Sequence, residues 1–152
     1  MNAKMNSFVC IDANLVVRIL IPGPFTNHAL TLLSHCQEQR IQLIAPSLLS
    51  CEVTSVLRRM VYLNTLSTKD GEAAFQEFLR LNIRLSSRSA IFPLAWNLAQ
   101  RFNRPRTYDT AYLALAQLQG CDFWTADEKL YNAVQHELSW VKWIGNYPVS
   151  SI

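Results

Sequence analysis

Phe8-Val9-Cys10-Ile11-Asp12 is a short apolar run closed by an acid, the pattern of a buried strand that delivers a carboxylate at its end. The same pattern returns far along the chain. Asp122-Phe123-Trp124-Thr125 reads as a strand, and Ala126-Asp127 follows it with a second acid. Two buried strands ending in aspartate suggest a sheet whose carboxyl-terminal rim carries chemistry, because open α/β sheets bind their ligands at that rim.

Between and around these strands the pattern alternates. Pro22-Gly23-Pro24 breaks the chain, and Thr26 to Gln39 carries Ala29, Leu30, Leu32, Leu33 and Cys36 at helical spacing. Ile41 to Ala45 is a second strand, closed by Pro46. Ser47 is placed to cap a helix running to about Leu63, with Leu48, Leu49, Val53, Val56, Leu57 and Met60 as its apolar side. Ser67 and Asp70 form a capping-box pattern before a helix bearing Ala74, Phe75, Phe78 and Leu79. Ile83 and Leu85 suggest a third strand, and Ala90 to Phe102 a further helix. Asn103 to Arg106 is a basic turn, Thr107 to Gln119 is strongly helical, and Gly120 ends it. After Asp122–Thr125 come a short helix over Asp127–Val134 and a last strand over Trp140–Trp143. Strands alternating with helices predict a mostly parallel sheet of about five strands, covered on both faces. With no repeat, low-complexity tract or linker, residues 1–152 are expected to form one domain.

The composition is compatible with that. A chain of 152 residues, 50% of them apolar, needs no disulfide staples to fold. Charged residues are only 16% and aromatics 11%. This points to surface covered by another chain, with Trp96, Trp140 and Trp143 as candidates. The net charge of +3 is mildly basic, and ten of the fourteen cations are arginine, the side chain better shaped for phosphate. Cys10, Cys36, Cys51 and Cys121 are scattered, and neither they nor His28, His35 and His136 group at zinc-ligand spacing. Reduced thiols in a cytoplasmic protein are the expectation. No long apolar stretch follows Lys4, so neither a signal peptide nor a membrane span is expected.

Two more acids complete the pattern. Asp109 falls in the first turn of its helix, three residues before Tyr112. Glu52 follows Leu48 and precedes Val56 by one turn each, which puts a carboxylate on the apolar side of its helix. A lone ionised acid directed at a core is costly. Two unit charges ~4 Å apart repel by about 4 kcal/mol at an effective dielectric of roughly 20. A divalent cation removes that strain, and an all-oxygen donor set favours Mg²⁺ or Mn²⁺ over zinc. Such a site suits phosphodiester hydrolysis. Asn14 and Thr125 are placed as neutral supporting groups, and Arg101, Arg104 and Arg106 as a grip on backbone phosphates. Each position also has a plainer reading. Asp109 can favour a helix dipole, Asp127 can cap a helix, Asp12 can be a turn residue, and Glu52 can pair with Arg18. The arginine stretch can be a solvated turn.

Four segments taken together resemble the PIN-domain family, specifically its compact VapC toxin type. They are Val9-Cys10-Ile11-Asp12-Ala13-Asn14, Ala45-Pro46-Ser47-Leu48-Leu49-Ser50-Cys51-Glu52-Val53, Tyr108-Asp109-Thr110-Ala111-Tyr112-Leu113-Ala114-Leu115-Ala116, and Thr125-Ala126-Asp127-Glu128-Lys129-Leu130. The resemblance covers nearly the whole chain. It implies a doubly wound three-layer α/β/α fold, a carboxylate-held Mg²⁺ or Mn²⁺, an RNA substrate, a homodimer, and a small antitoxin protein as partner. Asp12, Glu52, Asp109 and Asp127 match the family's acidic quartet, acting both as catalytic residues and as metal ligands. Asn14 and Thr125 match its polar companions, while Ala13 stands where Thr or Ser is frequent. The expected activity is that of an endoribonuclease toxin. The alternatives are an RNA-maturation or flap nuclease outside a toxin–antitoxin system, and a non-catalytic binding protein that keeps the fold.

Overall fold

The structure is a computed structural model that describes residues 7–149. Five strands form one sheet: β1 (Phe8–Ile11), β2 (Gln42–Pro46), β3 (Ile83–Ser86), β4 (Asp122–Thr125) and β5 (Val141–Trp143). Their order is β3-β2-β1-β4-β5, and every pairing is parallel. Parallel neighbours need crossovers, which seven helices supply: α1 (Ala13–Leu20), α2 (Thr26–Glu38), α3 (Leu48–Tyr62), α4 (Thr68–Arg80), α5 (Ile91–Arg101), α6 (Tyr108–Gln119) and α7 (Glu128–Val134). Helices α1 to α4 pack on one another, α5 pairs with α6, α6 lies against β1, β2 and β4, and α7 lies against β4 and β5. This is the sheet covered on both faces that the alternating pattern predicts, in the three-layer, doubly wound α/β/α form that the family resemblance implies.

The chain steps outward from β1 through β2 to β3, then crosses back to β4 and β5 on the other side of β1. The strand order therefore reverses between β1 and β4, and the ends of those two strands open the crevice where doubly wound sheets bind ligands. Registers of Cys10 with Phe123 and Ile11 with Trp124 bring the Asp12 and Thr125 ends side by side. The core is continuous around this junction. Cys10, Ile11, Leu15, Val16, Leu49, Val53, Leu113, Leu115 and Phe123 are buried, as are Thr110–Ala116 along α6.

One helix escapes the sequence reading. Ala13–Leu20 is rich in Leu, Val and Ile, and extends the apolar strand without a visible break. Asp12 makes the break: its Oδ1 accepts the Leu15 N–H at 2.8 Å, the N-cap bond that starts α1. Ser47, by contrast, precedes α3 without a side-chain cap bond and pairs its hydroxyl with Ser87. Ser67 does cap α4, accepting the Asp70 N–H at 3.0 Å. Gly120 ends α6 in the left-handed region at φ 69°, a conformation that favours glycine. Cys10, Cys36, Cys51 and Cys121 are all free thiols, Cys51 alone of them exposed. Of the three tryptophans expected at the surface, Trp96 is exposed, whereas Trp140 and Trp143 are half-buried against the core. No helix among the described residues is long and apolar enough to cross a membrane.

Candidate functional site

The β1/β4 crevice holds the first two acids. Asp12 is buried, 6% exposed, at the point where β1 becomes α1. Its Oδ1 is taken by the Leu15 N–H, and its Oδ2 accepts the Thr125 hydroxyl hydrogen. Thr125, itself wholly buried, accepts the Asp127 N–H at 2.9 Å, so one hydroxyl ties the two strand ends together. Asp127 caps α7 by accepting the Leu130 N–H at 3.1 Å. Both aspartates therefore do cap helices, as the plainer readings had it for Asp127. Capping occupies one lone pair of a carboxylate that has about four acceptor sites, so it leaves room for another ligand.

Burial pushes the Asp12 carboxyl up to about 7. The Thr125, Leu15 and Ala126 hydrogen bonds oppose that rise, and the neighbouring Asp127 charge adds to it. The second pair lies on the helices. Glu52 is half-buried on α3, on the flank with Leu48 and Val56 rather than on the fully buried stripe of Leu49, Val53 and Leu57. Burial raises its pKa, a hydrogen bond from Tyr112 lowers it, and Asp109 raises it again. Glu52 has no ion pair with Arg18 among the described residues; its partner is the Tyr112 hydroxyl, which donates to Oε1 at 3.0 Å. Burial and the Glu52 charge hold the Tyr112 phenol above its usual range, so it remains a donor. Asp109 is half-buried in the first turn of α6 and pairs with Arg104.

The four acids thus stand as two like-charged pairs, Asp12 with Asp127 and Glu52 with Asp109, in which the Asp127 charge raises the pKa of Asp12 and the Asp109 charge that of Glu52. The Tyr112 hydroxyl reaches Glu52 from α6, and the Glu52 and Asp12 charges both raise its pKa. Among the described residues no three acidic, histidine or cysteine side chains converge tightly enough to cage an ion by themselves. That spacing is compatible with Mg²⁺, which keeps several waters and is usually held by only one or two carboxylates. A donor set of carboxylates and hydroxyls fits a hard cation and not zinc.

The supporting residues divide. Thr125 is integral to the crevice, while Asn14 lies exposed in the first turn of α1 with no side-chain hydrogen bond among the described residues. Of the arginines, only Arg104 touches an acid of the quartet. Arg101 turns to Glu137 at 3.4 Å and covers the Phe102 ring, and Arg106 is exposed. Tyr112 is the residue that sequence reasoning missed. Its signal was a tyrosine inside the apolar Ala111–Ala116 stretch of α6, where a buried hydroxyl needs a partner.

The PIN domain family model matches residues 10–138. The chain belongs to the PIN-domain family. VapC ribonuclease Mb0985 of Mycobacterium bovis is 31% identical over 94 residues, which cover 62% of this chain and 72% of that protein. Ribonuclease VapC9 of Mycobacterium tuberculosis matches to the same extent, in the CDC 1551 and H37Rv strains alike. The chain is thus a PIN domain of the VapC type, and the resemblance stated from its four segments holds.

Proposed function

We propose that this PIN domain is a divalent-metal-dependent endoribonuclease that hydrolyses RNA phosphodiester bonds, as the toxin of a type II toxin–antitoxin pair. The observation that carries the reading is the pairing of Asp12 with Asp127 and of Glu52 with Asp109 around the β1/β4 crevice. Burial and mutual repulsion there raise the proton affinity of Asp12 and Glu52. The kinship with proteins named VapC ribonucleases supports RNA as substrate and a small antitoxin protein as partner.

Asp12, Glu52, Asp109 and Asp127 are the residues that would hold Mg²⁺ or Mn²⁺. When bound, the ion supplies charge neutralisation at the phosphate and a more acidic attacking water. Hydrolysis adds water to phosphorus, breaks the P–O bond to the leaving ribose oxygen, and returns a proton to that oxygen. Thr125 keeps Asp12 and the start of α7 in register, which fixes the crevice before substrate arrives. Arg104, paired with Asp109, and the exposed Arg106, three residues before it in the chain, supply positive charge for the RNA backbone, with Arg101 further along the same segment. Asn14 stands at the rim as a neutral group for a water or a ligand. Phe92 and Trp96, one helical turn apart on α5, are 69% and 62% exposed. They favour a covered surface in a homodimer or a complex with the antitoxin. A cytoplasmic location accords with an RNA substrate.

The test is cleavage of total RNA by purified wild type and Asp109→Asn, each in Mg²⁺, Mn²⁺ or EDTA. Cutting by the wild type alone, abolished in EDTA, is the expected result. Equal cutting by both proteins would place the activity elsewhere. No cutting by either would favour the alternative of a fold kept for binding, for which the exposed Phe92–Trp96 face is the supporting observation.

A further inference from the structure

Tyr112 heads the large side chains that are fully enclosed, at 2% exposed, and its ring stacks on Phe123 with centroids 6.1 Å apart and planes 29° apart. A phenylalanine would fill that space equally well. What the tyrosine adds is a hydroxyl, and in this core the hydroxyl reaches one acceptor, Glu52 Oε1, at 3.0 Å across the gap between α6 and α3. The contact joins two helices sixty residues apart in sequence, and the rigid partner is the tyrosine, because stacking on Phe123 fixes its ring.

Glutamate is a long side chain with several rotatable bonds, and Glu52 is only half-buried. A hydrogen bond on Oε1 from a donor held in the core restricts that freedom and orients the other oxygen, which accepts no hydrogen bond among the described residues. Carboxylates that bind metals are themselves commonly oriented by such a hydrogen bond from behind. We infer that Tyr112 is a positioning residue, whose hydroxyl holds Glu52 Oε1 so that Oε2 is presented to the acid cluster. The inference rests on the reading of that cluster as a cation site, and deepens it by naming what keeps Glu52 in place.

The test uses the full chain with Mn²⁺ alone as probe, measured from the electron paramagnetic resonance signal of free Mn²⁺, together with melting in EDTA. Tyr112→Phe keeps the ring and removes the hydroxyl. It should melt in EDTA close to the wild type, yet bind Mn²⁺ about tenfold more weakly or worse. RNA cleavage by this variant should return as Mn²⁺ is raised, whereas Glu52→Gln should stay impaired. The double variant should bind no more weakly than Glu52→Gln, because the tyrosine acts through that carboxylate.

Normal Mn²⁺ affinity in Tyr112→Phe beside a weakened Glu52→Gln would overturn this inference and leave the cation site standing. Losses that add fully in the double variant would overturn it too, as would a Tyr112→Phe chain that does not fold in EDTA. Wild type and Glu52→Gln binding Mn²⁺ equally well would remove Glu52 from the cation site, a wild type that binds no Mn²⁺ would overturn the site itself, and the role of Tyr112 falls with either.

Discussion

Arg104 Nη2 lies 3.3 Å from Asp109 Oδ2, so one acid of the quartet carries its own cation. The arginine side chain is 25% exposed, and its Nε is buried without a partner among the described residues. Both features mark a guanidinium placed between the protein and whatever occupies the rim. With the Asp109 side chain 47% exposed, this ion pair contributes little to folding, on the order of 1 kcal/mol or less. Its effect should appear in binding.

Arg104→Gln is therefore expected to melt within a few degrees of the wild type. The KM for RNA should rise several-fold, and the salt dependence of RNA binding should weaken, because one phosphate contact is lost. Mn²⁺ affinity should stay level or improve, since a competing positive charge has left Asp109. Steady-state cleavage at two salt concentrations separates these effects. Weaker Mn²⁺ binding in the variant would mean that Arg104 supports the acid rather than the substrate.

A site strained by like charges should gain stability from a cation. Millimolar Mg²⁺ or Mn²⁺ is expected to raise the melting temperature of the wild type by mass action, and to raise that of Asp109→Asn by less. Differential scanning fluorimetry with and without EDTA measures both shifts. Equal shifts in the two proteins would remove Asp109 from the metal site.

Thr125 is buried between two acids, and its hydroxyl serves both sides of the crevice, donating to Asp12 and accepting the Asp127 N–H. Thr125→Val preserves the shape and removes both bonds. It leaves a buried carboxylate oxygen and a backbone N–H unsatisfied, at a cost of about 1–3 kcal/mol for each buried group so stranded. Urea denaturation in EDTA should show a lower midpoint, with activity reduced beyond what the lost folded fraction explains. An unchanged midpoint would show that water replaces the hydroxyl.

The chain advertises its fold through pairs of signals that agree. Short apolar stretches lead to a proline at β2 and to an acid at β1 and just beyond β4, and capping residues or glycine mark the ends of α4 and α6. These are local signals, and the structure follows them within a residue or two. Helix α1 was illegible for the same reason that β1 was clear: Ile11 and Leu15-Val16-Val17 form one apolar string, and only the Asp12 side chain divides strand from helix. The acids were legible because their residue type clashes with apolar surroundings. Their grouping into two pairs was not, since it depends on the β1/β4 neighbourhood and on the approach of α6 to α3. The Tyr112–Glu52 bond belongs to that same tertiary class, as does the turning of Arg101 to Glu137 instead of to the rim.

Gly71 offers a control remote from the acids. A Cβ built there would stand 2.3 Å from Val61 Cγ2, so the glycine is what lets α4 approach α3 this closely. Gly71→Ala should destabilise the chain by about 1–3 kcal/mol through overpacking, partly offset by the better helix propensity of alanine. The folded fraction should bind Mn²⁺ as the wild type does. A loss of metal affinity would mean that the α3–α4 packing also sets the position of Glu52.

Asp12 makes the most direct claim on pH. Its carboxyl is pushed from an ordinary 3.8 up to about 7 in the folded chain, chiefly by burial. The folded state thus holds a proton that the unfolded state has already released between those values. By linkage, the stability contributed by protonated Asp12 is fully present below about pH 4 and is lost as the pH rises through about 7. In EDTA the wild type should therefore lose stability relative to Asp12→Asn, which has no such titration, as the pH is raised from 5 to 8. A divalent cation competes for the same oxygens, so the Mg²⁺-induced rise in melting temperature should be small at pH 5.5 and grow toward pH 8 in the wild type. Melting curves for both proteins across that range, with EDTA and with Mg²⁺, give the two trends. A wild-type difference from Asp12→Asn that is flat with pH would show that the carboxyl is already ionised in the folded protein, and that the crevice is more polar than its burial indicates.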